Sequence, residues 1–422
     1  MKALRPMVRN VRGAYAALAA LLLVAGGAAA QESRQHQPLT IDPTLDWQTL
    51  IEATLAAHPR SGELIARADE AAAWTTRGRQ WLAAAPSLYF TYLTDSPLDN
   101  REQREYAGGV ELPLWRTGER AAVQALARSA SAESDAARSA LRLEVAGLLR
   151  GALWDVQAAA NANAAAKEAV EIAAEVLRGV ERRQARGELP LADVLLAQSA
   201  LLERQQAAIA TQAGVVDAER AYQSLTGLTR RPAVFEERRS AREDFDDTHP
   251  LLVLANASIA RARANREVTD LAARGNPLVT VGPRRQRDAL STVLNDSFTI
   301  GVKMPVGGRA HAVTQSAEQG RVVAEAESAR ASLLRRLDLD LHEAEHGLLV
   351  LEGSLALAEQ RRELAARQWR MAQSAFTQGE IELRDLLRIQ EIDRNASREA
   401  ERLRIERQRT IAAFNQALGE TP

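Results

Sequence analysis

The sequence contains no cysteine. Disulfide frameworks, thiolate zinc sites and cysteine nucleophiles are therefore excluded, as is a lipid-modified cysteine near residue 30. Aromatic residues are scarce too, at 4% of 422 residues, whereas a compact enzyme core relies on rings to fill its volume. Net charge is almost nil, with 54 basic against 55 acidic residues. That leaves no cationic excess to displace counterions, so no nucleic-acid partner is expected. After the first thirty residues, no apolar run reaches the ~20 residues that a spanning helix needs. A Walker A loop, a G-x-S-x-G elbow and a dinucleotide fingerprint are all missing. No cofactor and no enzymatic activity are expected, and the chain has no means of energising a process by itself.

What the sequence does have is alanine, leucine, glutamate, arginine and glutamine, the strong helix formers, so a mainly α protein is expected. Lys2, Arg5, Arg9 and Arg12 precede the apolar run "AYAALAALLLVAGG", and "AAAQES" places Ala28 and Ala30 in an A-x-A arrangement. This reads as a cleaved secretory signal over about 1–30.

The rest of the chain is written twice. His58-Pro59 and His249-Pro250 lie 191 residues apart, as do Pro86 and Pro277. "YAGGVELPLW" from Tyr106 aligns with "FTIGVKMPVG" from Phe298, and "GELPLADVLLAQ" from Gly187 aligns with "GEIELRDLLRIQ" from Gly379, each at 192 residues. The expected organisation is a signal at 1–30, an N-terminal segment at 31–45, a first repeat at 46–228, a polar linker at 229–248, a second repeat at 249–419 and a tail at 420–422. Each repeat reads as a helix, a strand pair (86–115 and 277–307), a long helix, a tip turn (187–190 and 379–382) and a return helix (191–226 and 383–417). The opening helix of the first repeat is expected over about 46–84.

The long stretches 118–186 and 308–378 contain no proline. About 70 helical residues would span about 100 Å. Leu149, Val156, Asn163, Val170 and Leu177, with the alanines between them, form a seam of alternating three- and four-residue steps. Leu334, Leu337, Leu341, Ala344, Leu348 and Leu351 repeat it in the second half. Such seams call for partner helices; Asn163 could fix their register, but is read by preference as a tolerated polar residue. Gly187 and Gly379 stand where helix C-cap glycines would, with Pro190 in the first turn of a returning helix.

The four short strands carry much of the aromatic stock, including Tyr89, Phe90, Tyr92, Tyr106, Trp115 and Phe298. Four strands cannot close a membrane barrel, and lipid tolerates no open strand edge. Other copies must complete the barrel, and three copies would supply twelve strands. The competing reading is two hairpins packed on a periplasmic helical bundle.

With its duplication, the "GVELPLW" and "GVKMPVG" segments before each long helix, and its two tip sequences, the chain resembles the TolC-like outer-membrane efflux protein family over nearly all of its mature length. The resemblance implies a homotrimer whose strands share one barrel in outer-membrane lipid and whose helices form a periplasmic tunnel. It further implies a passive exit duct working with a periplasmic adaptor protein and an inner-membrane transporter. Gly187, Glu188, Leu189, Gly379, Glu380 and Ile381 would be the adaptor-contacting tips. Asp193 and Asp385 match aspartates that follow the family's turns and would belong to the periplasmic gate. The best-known members carry a second aspartate three residues after the later one. Here Arg388 stands there, so a ring of Asp385 and Arg388 could be nearly neutral rather than acidic.

"HEAEH", from His342 to His346, matches the zinc-protease pattern H-E-x-x-H, with two imidazoles on one helical face and Glu343 as a would-be general base. The motif lies in the heptad seam, among Leu341, Ala344 and Leu348, and nothing supplies a third ligand or a cleft. No metal site is expected, and His342 and His346 remain only a weak candidate pair. Those histidines and "LPLWRTGERAA" suggest, as a second reading within the family, a metal-cation efflux duct. A periplasmic coiled-coil scaffold without a pore is the reading from another class; the strand pairs favour the duct.

Overall fold

A computed structural model of the protein describes residues 36–96, 98, 101–306 and 309–422. The expected signal at 1–30 lies outside the described residues, as does Gly307 of the second strand pair. The chain divides into two compact units. Of the described residues, one holds 36–46 together with Ala152–Phe235, the other those within Trp47–Gly151 and Glu236–Pro422.

In chain order the elements are β1 (Thr40–Asp42), α1 (Trp47–Ala57), α2 (Ser61–Arg79), β2 (Ser87–Thr94), β3 (Arg104–Pro113), α3 (Glu119–Ala185) and α4 (Leu191–Thr226). They continue as β4 (Arg230–Pro232), α5 (Pro250–Ala272), β5 (Leu278–Arg287), β6 (Asn295–Lys303), α6 (Arg309–Gln378) and α7 (Leu383–Ala417). The mainly α composition with a small β part is borne out.

The single opening helix expected over 46–84 is corrected to two helices, with the second ending at Arg79. Pro59 has no N–H to donate and disfavours helical geometry at His58, so the helix stops there. His58 Nδ1 then accepts the Arg60 N–H at 3.2 Å. Pro190 is likewise corrected from the first helical turn to the N-cap of α4, where its ψ of 158° is extended.

In the second unit α6 is a 70-residue helix, about 105 Å long. Its first part runs antiparallel to α5, as Asn265–Gln319 at 2.8 Å and Arg330–Asn256 at 2.6 Å record. Its later part runs antiparallel to α7 through Glu359–Arg404 at 2.8 Å. Leu341, Ala344 and Leu348 of the seam form one core with Ile411, Phe414, Ala417 and Leu418. A second core joins Ala122, Val123 and Leu126 of α3 to Val268 of α5, with Trp74 and Trp115 packed against it.

The expected linker at 229–248 is partly docked rather than free. Arg150, only 4% exposed, donates two hydrogen bonds to the Glu237 carboxylate at 2.7 and 2.6 Å, and another to the Glu420 carbonyl at 3.1 Å. Removing one partner of such a buried pair costs about 3–5 kcal/mol, because the other charge is stranded.

In the first unit α4 packs antiparallel on the Ala152–Ala185 part of α3. Val156, Asn163, Ala173 and Val180 of α3 are buried, as are Val194 and Ala197 of α4. Asn163 is not merely tolerated. Its amide donates to Gln212 Oε1 at 3.0 Å, and its carbonyl oxygen accepts from the Thr211 hydroxyl at 3.4 Å. The same unit holds two strands that sequence periodicity does not reveal. β1 and β4 pair in parallel, Thr40 with Arg230 through Asp42 with Pro232. Three residues each are too few to show alternation, and the pair is held by an Arg230–Asp42 ion pair at 2.8 Å and by Tyr222 Oη donating to the Arg230 carbonyl at 3.0 Å.

Candidate functional site

The four longer strands form one antiparallel sheet in the order β2-β3-β5-β6, so β2 and β6 are its edges. The register aligns Leu88 with Val110, Val110 with Val281, and Val281 with Ile300. Alternation then places Leu88, Phe90, Val110, Val279, Val281, Phe298, Ile300 and Val302 on one face. Leu88 is 84% exposed, Phe90 74% and Ile300 68%. Surface this apolar is not left to water in a soluble sheet.

The opposite face carries Glu105, Glu111, Thr280, Arg284, Thr299 and Lys303. Arg284 meets Glu105 at 2.6 Å, and Ser87 donates to Glu111 at 3.0 Å. On this face β3 and β5 approach so closely that a Cβ on Gly109 would sit 2.3 Å from the Val281 carbonyl oxygen, and one on Gly282 1.9 Å from that of Gly108. Only glycine fits, and Pro283 beside it needs no ladder donor. The outcome is a sheet with an oily side, a polar side and two unpaired edges.

The sheet is stapled to the helices by residues that sequence reasoning did not single out as a group. Arg116 donates to the carbonyls of Gly275 at 3.1 Å and Arg274 at 3.2 Å. Arg120 does the same to Gly78 at 3.2 Å and Arg79 at 3.0 Å, with Gln124 adding a bond to Gly78 at 3.1 Å. The Gly78 and Arg79 carbonyls are orphans of the last turn of α2, whereas those of Arg274 and Gly275 belong to the turn that follows α5. Trp115 Nε1 adds a bond to the Gln80 carbonyl at 3.0 Å. The four-residue spacing of Arg116, Arg120 and Gln124 directly after a strand was the available signal. Trp115, Arg116 and Arg120 of the "LPLWRTGERAA" stretch all serve this staple.

Each tip is built the same way. Gly187 has φ +77° and its N–H bonds to the Gln184 carbonyl at 2.8 Å, while Glu188 N–H bonds to that of Arg183 at 2.9 Å. Gly379 has φ +80°, with Gly379 N–H to Phe376 at 3.1 Å and Glu380 N–H to Ala375 at 2.9 Å. Both are Schellman turns, which require a left-handed residue and therefore glycine. Leu189 and Ile381 are half-buried, whereas Glu188 and Glu380 are exposed. Arg183 and Arg186 hold the Glu188 carboxylate at 3.2 and 2.8 Å. On the return helices Asp193 is half-buried, and Asp385 and Arg388 are both exposed. Although three residues apart on one helix, Asp385 and Arg388 do not pair with each other among the described residues.

His342 and His346 are exposed on α6 with parallel rings 6.1 Å apart, while Leu341, Ala344 and Leu348 of the same segment are buried. Among the described residues no group of three or more His, Asp or Glu could hold a metal ion. No helix among them is long and apolar enough to cross a membrane.

Two-faced with open edges, the sheet is joined to long helical hairpins. The family model described as "Outer membrane efflux protein" matches residues 75–228, so the resemblance read from the sequence holds. No curated protein matches the chain by sequence. The fold is that of solved outer-membrane channels at low identity. VceC of Vibrio cholerae is 16% identical with a TM-score of 0.69, covering 88% of this chain and 96% of its own. CmeC of Campylobacter jejuni is 14% identical with a TM-score of 0.69, covering 88% and 85%. The open-state MtrE channel of Neisseria gonorrhoeae is 16% identical with a TM-score of 0.63, covering 92% and 91%.

Proposed function

We propose that three copies of this chain close a twelve-stranded barrel in the outer membrane, β6 of each copy pairing with β2 of the next. Their helices form the periplasmic conduit of a tripartite efflux system. The protein is its passive exit duct, supplied by an inner-membrane transporter through a periplasmic adaptor. The observation that carries this reading is the sheet, whose apolar face suits lipid, whose polar face suits a water-filled lumen, and whose unpaired edges lipid would not tolerate.

The helices add support. On α6, Val350, Leu357, Leu364 and Met371 are exposed at seven-residue steps, roughly opposite the seam that faces α7. On α4, Leu195, Leu202 and Ile209 repeat that spacing, also exposed. A heptad stripe of this kind matches a neighbouring helix, and burying one such side chain contributes about 1.5–3 kcal/mol. In this reading the tips at Gly187–Glu188–Leu189 and Gly379–Glu380–Ile381 receive the adaptor. Asp193, Asp385 and Arg388 line the inner gate, where Asp385 of one copy can meet Arg388 of another.

The test is the mass of the protein extracted by detergent from outer-membrane fractions, corrected for bound detergent. A trimer supports the shared barrel; a detergent-independent periplasmic monomer removes the pore.

A further inference from the structure

The oily face of the sheet changes character towards the hairpin loops, the end away from the helices. After the Phe90 row come Tyr92 and Tyr106, cross-strand partners with ring centroids 4.9 Å apart, aligned with Arg285 and Asp296. One row further, about 7 Å along the strands, Arg104 stands directly opposite Arg287. Like charges directly across a ladder repel, so this pairing calls for anions.

The protein supplies some of them. Arg285 is gripped by both oxygens of Asp296 at 2.6 and 2.7 Å, and Arg287 by the Glu102 carbonyl and carboxylate at 2.9 and 3.0 Å. The Arg104 side chain is exposed and has no partner among the described residues. An unpaired guanidinium therefore projects from the lipid side of the sheet, just beyond a tyrosine pair and an apolar band.

We infer that Arg104, with Arg287 beside it, binds a phosphate group on the headgroup of an outer-leaflet lipid whose acyl chains lie along the apolar band. The inference rests on the channel reading, which sets which face meets lipid and which end meets the outer leaflet. Charge complementarity selects the occupant, since guanidinium recognises phosphate through paired N–H donors. The tyrosines sit where an aromatic girdle marks the headgroup boundary. The expected consequence is that the assembled channel prefers phosphorylated lipid to a lipid of equal chain length without phosphate.

The experiment titrates the detergent-solubilised full protein with bis-phosphorylated lipid A, with the same lipid stripped of phosphate, and with inorganic phosphate. Lipid retention in native mass spectrometry and the thermal unfolding midpoint are read for the wild type, Arg104→Lys and Arg104→Gln. The expected result is retention several-fold stronger for the phosphorylated lipid, lost in Arg104→Gln and partly kept in Arg104→Lys. Equal retention of both lipids, or an unaffected Arg104→Gln, overturns it. Inorganic phosphate that raises the midpoint as much as the lipid does also overturns it, because the site would then hold an anion without a membrane. Oligomeric mass before lipid is added separates this outcome from failure of the channel reading, in which no trimer forms at all.

Discussion

Glycine has opposite meanings at different positions of α6 and its tip. Gly379 ends the helix with φ +80°, where a Cβ costs roughly 1–2 kcal/mol. Gly353 lies mid-helix with no atom within 4 Å of an added Cβ, so alanine there should stabilise by about 0.5–1 kcal/mol. Gly379→Ala is expected to speed amide exchange at the tip, and Gly353→Ala to slow it across the helix; the same sign for both would contradict this account. His249 offers a second test. It is 1% exposed, and its Nδ1 accepts the Leu251 N–H at 3.2 Å as the N-cap of α5. Burial pushes its pKa below the ordinary 6.5. A lowered folded-state value means that its stabilisation is complete above pH 6.5 and is lost as pH falls below 6.5. The denaturant midpoint should drop between pH 7.5 and 5, and His249→Asn, which preserves the cap, should lessen that drop.

At the scale of elements, Asn163 shows what periodicity conceals. Its place on the seam of α3 is plain in the sequence, but its partners on α4, Gln212 and Thr211, are 49 and 48 residues away. Asn163→Ala removes both of these part-buried hydrogen bonds and should cost about 0.5–1.5 kcal/mol. Asn163→Leu combined with Gln212→Leu should recover most of it while loosening the register between the two helices. Chemical denaturation gives the first comparison, and spin-label distances across α3 and α4 give the second. Recovery without any broadening of the distances would mean that the apolar seam alone sets the register.

For the whole molecule, the decisive contrast lies between neighbouring residues of one edge strand. Ile300 faces the apolar side of β6 and Thr299 the polar side. A charge in the lipid band costs about 2–4 kcal/mol near the bilayer midplane, whereas lumen changes are absorbed by water. Ile300→Lys should sharply reduce the trimer recovered from membranes, and Thr299→Lys should leave it nearly intact. Equal recovery of the two would reverse the sidedness of the sheet and remove the ground for the barrel.

The sequence by itself determined the elements whose causes are local. The proline-free stretches with a 3.5-residue apolar period became α3 and α6, and Gly187 and Gly379 turn the chain because only glycine enters the left-handed region without strain. The two-faced strands were also legible, because alternation is written in consecutive residues. Tertiary structure decided what depends on distant partners: the β1–β4 pairing, the bonds of Asn163, and the hold of Glu237 on Arg150. It also decided that Arg120 serves backbone carbonyls at the end of α2 and Arg116 those of the turn after α5. A three-residue strand has no period to read, and an arginine in a helix looks the same in sequence whether it faces water or caps another helix. Burial and pairing depend on which atoms meet, and those meetings exist only once the chain has folded.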